Sequence, residues 1–389
     1  MGARTASPSP TRGTGAPSTP GGPTCAGSWG RRSGWAWRLP TLKASRRVHV
    51  PSCTPTAPPM CPPAPHSRCP IPPQVPLPSR AVAVAAGARF SLVLDENGMV
   101  HSWGNNQYGT LGRAASGDLD HIPGNVTGGL PPMGRVAAGG GHGAGVALSD
   151  GALWTWGSNF EGQLGRPVPG DYTAVPGPVS GLGGAVLDVS LGRYHTVVVT
   201  MGGDVYCWGS NLRGQCGPGG PTMEQAGSSL PNPVPTLLPR SLWGGLGAVS
   251  VATGQFNTLV QTTDGAVWGF GRNFQGNLGT VNYGFTKPVD TPVCVSCALP
   301  GGGLLHRVVG FAAGSDHTML LVKERAREGH PPVLYGMGSN RFGQLGAGKG
   351  VTTTPVGCPC RDPRFGGELC APRVSPWDLR YRLEGGLTP

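Results

Sequence analysis

The chain has 389 residues, of which 68 are Gly and 42 Pro, so dense turns or low complexity are expected. Its net charge of +11 is confined to residues 1–94, which hold 11 Lys and Arg and no acid; residues 95–389 hold 19 basic and 19 acidic residues. A neutral body lacks the electrostatic footprint of a nucleic-acid surface, no apolar run nears the ~20 residues of a membrane span, and the first thirty residues contain no apolar core of a secretory signal.

Residues 1–70 are rich in Arg, Ser, Thr, Pro and Gly and have no apolar periodicity. Such a segment buries too little surface to offset its ordering entropy, and a disordered tail is expected. The same acid-free, Arg- and Ser-rich composition suits a transit peptide to chloroplast or mitochondrion; otherwise cytoplasm or nucleus is expected. If nucleic acid is bound at all, this tail is the segment expected to bind it.

From residue 71 to 360 one pattern recurs. An apolar stretch leads to Gly, two variable residues and a slot, in "VAAGARFSLVL" (84–94), "VAAGGGHGAGVAL" (136–148), "VSLGRYHTVVV" (189–199), "VATGQFNTLVQ" (251–261) and "GFAAGSDHTMLLV" (310–322). The slot holds Phe90, His142, His195, Asn257 and His317. Turn signals follow at 96–98, 150–151, 202–203 and 264–265, where Asp-Gly and its kin accept the positive φ of a hairpin. The next strand ends in an anchor and a glycine: Trp103-Gly104, Trp156-Gly157, Trp208-Gly209, Phe270-Gly271 and Met337-Gly338. Two residues beyond each glycine stand Asn106, Asn159, Asn211, Asn273 and Asn340, and then Gly109, Gly162, Gly214, Gly276 and Gly343. Pro-containing runs at 71–78, 176–182 and 233–239 suggest a fourth strand, and "TTTPVGC" (352–358) reads as the start of a sixth unit. Residues 361–389 read as an irregular Cys-containing tail.

Each unit therefore reads as four short strands, and the anchors lie 52 to 67 residues apart. Strands at this period predict an all-β chain of radially arranged blades, a β-propeller, in which no unit buries its faces alone. The anchor is expected to pack between sheets, its glycine to permit close backbone approach, and the Asn to satisfy turn amides.

The paired signature "G-x-x-H-T" then "W-G-x-N-x-x-G-Q-L-G", as in "GRYHTVVV…VYCWGSNLRGQCG" and "GSDHTMLL…LYGMGSNRFGQLG", resembles the regulator of chromosome condensation repeat family over residues 71–360. The resemblance implies a propeller, usually of seven blades, that binds other molecules through loops and blade faces. Here five units are clear, so blades are missing or decayed. Phe90 and Asn257 stand where the family has His, and Phe270 and Met337 where it has Trp; residues 323–332 are an insertion. The founding activity of the family is guanine nucleotide exchange on the Ran GTPase, but no loop here maps onto an exchange element. A plant UV-B photoreceptor of the family uses Trp in "GWRHT" motifs, and none of the five corresponding motifs here holds that Trp.

Few residues suggest chemistry of their own. Equivalent His in separate blades are expected to make one structural hydrogen bond each. The odd count of 11 Cys, without a secretory signal, predicts free thiols. Cys294 and Cys297 with Cys358 and Cys360 are the candidates for a Cys₄ zinc site, though the second pair has the wrong spacing. There is no "GxSxG", "HExxH" or Walker loop, so neither a catalytic constellation nor a cofactor is expected. The function expected is a non-enzymatic scaffold for protein partners. A guanine nucleotide exchange factor for a small GTPase is the alternative, with photoreception or chromatin binding as further readings.

Overall fold

Five times the chain passes from an apolar run through a Gly-containing turn into a second apolar run, and each time four antiparallel strands result. A computed structural model describes residues 74–114, 117–218, 232–280, 288–299, 306–324, 331–346 and 351–358. The expected tails, 1–70 and 361–389, lie outside these residues. The first sheet comprises β1 (Ala81–Ala86), β2 (Phe90–Asp95), β3 (Val100–Asn105) and β4 (Leu119–Asn125). The second comprises β5 (Met133–Ala138), β6 (His142–Ala147), β7 (Leu153–Ser158) and β8 (Tyr172–Pro178). The third comprises β9 (Val186–Leu191), β10 (His195–Thr200), β11 (Val205–Gly209) and β12 (Asn232–Leu238). The fourth comprises β13 (Ala248–Thr253), β14 (Asn257–Thr262), β15 (Val267–Gly271) and β16 (Val289–Cys294). The fifth comprises β17 (His306–Ala313), β18 (His317–Glu324), β19 (Val333–Ser339) and β20 (Val351–Cys358). Strand order is sequential in every sheet. No described helix is long and apolar enough to cross a membrane.

Register explains why the two signatures travel together. The slot residue sits directly across from the glycine of the anchor pair: Phe90 from Gly104, His142 from Gly157, His195 from Gly209, Asn257 from Gly271 and His317 from Gly338. These glycines have φ between 97° and 114°. A Cβ at Gly104 would stand 2.6 Å from the Arg89 carbonyl oxygen, and one at Gly157 would stand 2.6 Å from that of Gly141. Close backbone approach and a left-handed φ both demand Gly.

Two expectations are corrected. The run 71–78 is not a fourth strand; its described part, from residue 74, precedes β1, and the fourth strand of the first sheet is β4, which pairs with β3 from Asn105–Leu119 to His101–Asn125. Pro76 and Pro78 lack the N–H groups a ladder requires. Residues 352–358 do not open a sixth unit. They lie in β20, which closes the fifth sheet by pairing with β19.

The core lies between sheets. One apolar cluster joins the first and second sheets around Phe90, Leu92 and Trp156, and another the second and third around Val146, Val198 and Trp208. A third joins the third and fourth around Val197, Val260 and Phe270, and a last the fourth and fifth around Leu259, Leu320 and Met337. Among the described residues no cluster joins the fifth sheet to the first. The outer faces carry that mark. Trp103 is half-buried where Trp156, Trp208, Phe270 and Met337 are fully buried. His317, Met319 and Leu321 are half-buried where His195, Val197 and Val199 are fully buried. The described sheets are an open run of propeller blades.

The glycine three residues before the slot forms a floor under it. At Gly192 a Cβ would collide with the His195 imidazole and with the carbonyl oxygen of Gly254, the equivalent glycine of the next blade. We predict that Gly192→Ala costs about 1–3 kcal/mol by overpacking, while Gly184→Ala, where nothing lies within 4 Å, changes stability by less than about 0.5 kcal/mol. Urea unfolding of the two variants checks this; equal effects would contradict it.

Candidate functional site: seams and axial face

The slot residues act across the seams. His142 Nε2 lies 3.0 Å from Thr196 Oγ1 of the next blade, and His195 Nε2 lies 3.1 Å from Thr258 Oγ1. Each threonine hydroxyl donates back to the preceding blade, Thr196 to the Gln163 carbonyl at 2.7 Å and Thr258 to the Gln215 carbonyl at 2.7 Å. Since the hydroxyl proton is committed, Nε2–H of each histidine is the donor to the threonine oxygen. Nδ1 is then the bare nitrogen, and neither Nδ1 has a partner among the described residues. The anchor adds a third tie: Trp208 Nε1–H donates to the same Gln163 carbonyl at 2.9 Å, and Trp156 Nε1–H to the Thr110 carbonyl at 3.0 Å.

The departures from the repeat pattern follow the same logic. In the second unit the residue after the slot is Gly143, which has no hydroxyl, and the preceding blade supplies Phe90. Asn257 is shorter than histidine; neither its amide nor the Thr318 hydroxyl has a hydrogen-bond partner among the described residues, and both residues are fully buried. Phe270 and Met337 fill the anchor position by packing alone. Asn106, Asn159, Asn211, Asn273 and Asn340 each accept from the backbone N–H five residues on, at 2.8–3.0 Å. That bond sets the turns containing Gly109, Gly162, Gly214, Gly276 and Gly343.

Burial holds both seam histidines neutral. It pushes the pKa of His142 down to about 3; for His195 burial, with a smaller contribution from His142, does the same. His317 is half-buried and its pKa is lowered by burial, with Asp316 opposing. No His, Cys, Asp or Glu among the described residues form a group of three or more placed to hold a metal.

The free-thiol expectation is corrected for four cysteines. Cys207 and Cys216 form a disulfide, as do Cys294 and Cys297. A disulfide sulfur is not a thiolate ligand, so Cys294 and Cys297 as bonded here do not supply a zinc site. Cys358 ends β20 and Cys360 lies outside the described residues. The first bridge has a clear local meaning. Cys207 holds the register position of Ser102 and Thr155, whose hydroxyls donate to the Leu111 and Leu164 carbonyls. A covalent tie replaces a hydrogen bond at one equivalent position.

The loops joining first and second strands of all five sheets line one axial cavity of about 790 Å³. Neighbouring loops are stitched by backbone bonds: Ala88 N–H to Gly139 O, Gly140 N–H to Gly192 O, and Arg193 N–H to Gln255 O. Arg89, Arg193, Tyr108, Phe160 and Tyr194 stand at this opening. Phe342, which follows Asn340 in the equivalent turn of the fifth unit, is 87% exposed. The face was not visible as a site in the sequence, because these residues occupy the variable positions of both signatures. The one available signal was their recurring Arg and aromatic character.

We predict two effects in the seams. Asn257→His supplies the missing donor to Thr318 and stabilises by about 0.5–1.5 kcal/mol at pH 8, read by urea unfolding; no gain would contradict the relay. Because the folded-state pKa of His142 and His195 lies below the unfolded value, the folded state binds fewer protons below pH ~6.5, so their contribution is complete above that pH and is lost as pH falls toward 3. Between pH 7 and 5 the native protein should lose about 2 kcal/mol per histidine relative to a His142→Asn, His195→Asn double variant. Identical pH slopes would refute this.

Comparison with known proteins adds the following. A sequence model described as the RCC1-like domain matches residues 59–369. The chain is 33% identical over 235 residues to the X-linked retinitis pigmentosa GTPase regulator homolog of Caenorhabditis elegans, covering 60% of this chain and 16% of that protein. It is 29% identical over 293 residues to the regulator of chromosome condensation of Mus musculus, covering 71% of this chain and 64% of that protein. The crystal structure of human WBSCR16 superposes with a TM-score of 0.61 at 23% identity, over 73% of this chain and 69% of that one. The chain thus spans less than two thirds of both curated relatives.

Proposed function

Because the chain belongs to the RCC1-like domain family, whose repeats here form consecutive propeller blades, we propose that it is a non-enzymatic scaffold that docks protein partners on its axial face. The observation that carries this reading is a division of labour. The signature histidines His142 and His195 are fully buried and committed to the seams. The variable positions bring Arg89, Arg193, Tyr108, Phe160 and Tyr194 to one open cavity. Arginine and aromatic residues on a rigid framework are the residue types that dominate protein interfaces. Crosslinking capture with the native chain and with an Arg89→Ala, Phe160→Ala, Phe342→Ala variant tests it. Specific partners recovered by the native chain and lost by the variant are expected; an identical set from both would place the docking surface elsewhere.

A second reading is exchange on a small GTPase, favoured by the similarity to the worm X-linked retinitis pigmentosa GTPase regulator homolog. A nucleotide-release assay over a panel of small GTPases separates the two. The scaffold reading predicts no acceleration for any member, and acceleration of one would replace it. Residues 1–70, acid-free and rich in Arg and Ser, are proposed to serve as a transit peptide. A reporter fused to that segment should enter an organelle, and diffuse signal would remove it.

A further inference from the structure

The arginines of the axial face are arranged in order. Moving outward from the cavity across the third and fourth sheets, the Arg193 guanidinium lies 5.0 Å from the Tyr194 ring centroid and 5.9 Å from that of Phe256. Arg272 lies 5.8 Å from Phe256 and 4.9 Å from Phe274. Arg213 lies 5.7 Å from the Phe274 ring centroid. The result is a ladder, Arg193–Phe256–Arg272–Phe274–Arg213, built from variable positions of two adjacent blades. Arg193 is exposed, and Arg213 and Arg272 are half-buried.

We infer that this ladder binds an acidic, aromatic-containing peptide segment of a partner protein; the inference rests on the scaffold reading and names its ligand. A guanidinium held against a ring keeps its planar fork of N–H donors toward the ligand with less entropy to lose, and that fork matches a carboxylate in two-point contact. The ladder already has one carboxylate beside it. Its one described ion pair joins Arg272 to Asp316, with Nε to Oδ1 at 3.7 Å, while Arg193 and Arg213 have no carboxylate partner among the described residues. The body is neutral in sum, so the attraction is local to this face and not a general affinity for anions.

Single-stranded nucleic acid is the competing class, since arginine and aromatic residues also serve there. Stacking needs an open ring face. Phe256 and Phe274 each have two guanidinium groups at 4.9–5.9 Å from the centroid, so the rings are engaged by the arginines. Phe160, 47% exposed and packed edge-on to Tyr108 at 5.1 Å, lines the same cavity as Arg193 and offers apolar surface to the aromatic part of the peptide.

The test uses the full chain and fluorescence anisotropy with a labelled peptide of repeated Glu-Glu-Phe triplets. A Gln-Gln-Phe peptide and an oligo-uridine RNA serve as comparisons. Binding of the acidic peptide should exceed that of the Gln peptide by at least about tenfold, fall steeply with salt, and drop by about tenfold or more in an Arg193→Gln, Arg213→Gln variant. Arg193→Lys, Arg213→Lys should restore only part, since charge returns without the fork. Arg307→Gln, an exposed arginine on the first strand of the fifth sheet, should leave binding unchanged. Equal binding of the Glu and Gln peptides, insensitivity to the double variant, or tighter binding of RNA than of the acidic peptide would each overturn the inference. Capture experiments separate its failure from that of the scaffold reading. If the double variant still recovers every partner of the native chain, the ladder is wrong and the scaffold stands; if the native chain recovers none, the scaffold falls first.

Discussion

Everything in this molecule depends on how one blade holds the next. Each sheet has two apolar faces and cannot bury either alone, so stability resides in the seams. A purely apolar seam would allow neighbouring sheets to slide. The relay from histidine to threonine to a backbone carbonyl prevents that at His142–Thr196–Gln163 and His195–Thr258–Gln215. Buried hydrogen bonds of this kind are directional, and an unmade one is costly, so they fix a single relative placement. The glycine floor is the steric half of the same device, because only a residue without Cβ leaves room for the imidazole.

Much of this was legible in the sequence, for a physical reason. The slot and the anchor glycine face each other across a hairpin, so register forces both signatures into every unit. The Asn that caps each turn is recognisable for the same reason. The seam partner was not legible. Thr196 lies 54 residues from His142, and Thr258 lies 63 from His195. The "H-T" pair looks like one local motif, whereas its two members serve opposite faces of the strand and bond to different blades. Repeat phase was also hidden. A Pro-containing run looks alike at the end of one unit and the start of the next, so the sequence alone does not separate 71–78, which precedes β1, from 352–358, which closes the fifth sheet. The bridge between Cys207 and Cys216 is not legible from cysteine count and the lack of a secretory signal, because the pairing depends on the turn that brings residue 216 back to β11.

Function follows from what the framework leaves free. Side chains at variable positions after the floor glycines and beside the capping Asn, among them Arg89, Arg193, Tyr194 and Phe160, come together at one cavity. Repetition thus builds a face from positions that are scattered in sequence. On this face the chain concentrates arginine and aromatic side chains, despite a body that is neutral in sum. The buried histidines hold the blades, and in the proposed function the exposed variable residues dock the partner.

The most direct measurement is a double-mutant cycle on one seam, with His195→Ala, Thr258→Ala and the double variant compared by urea unfolding at pH 8. If the relay holds neighbouring blades, the two residues share a coupling energy of about 1–3 kcal/mol. Additivity within about 0.5 kcal/mol would mean that each side chain contributes only its own packing, and that the blades are held by apolar contact alone.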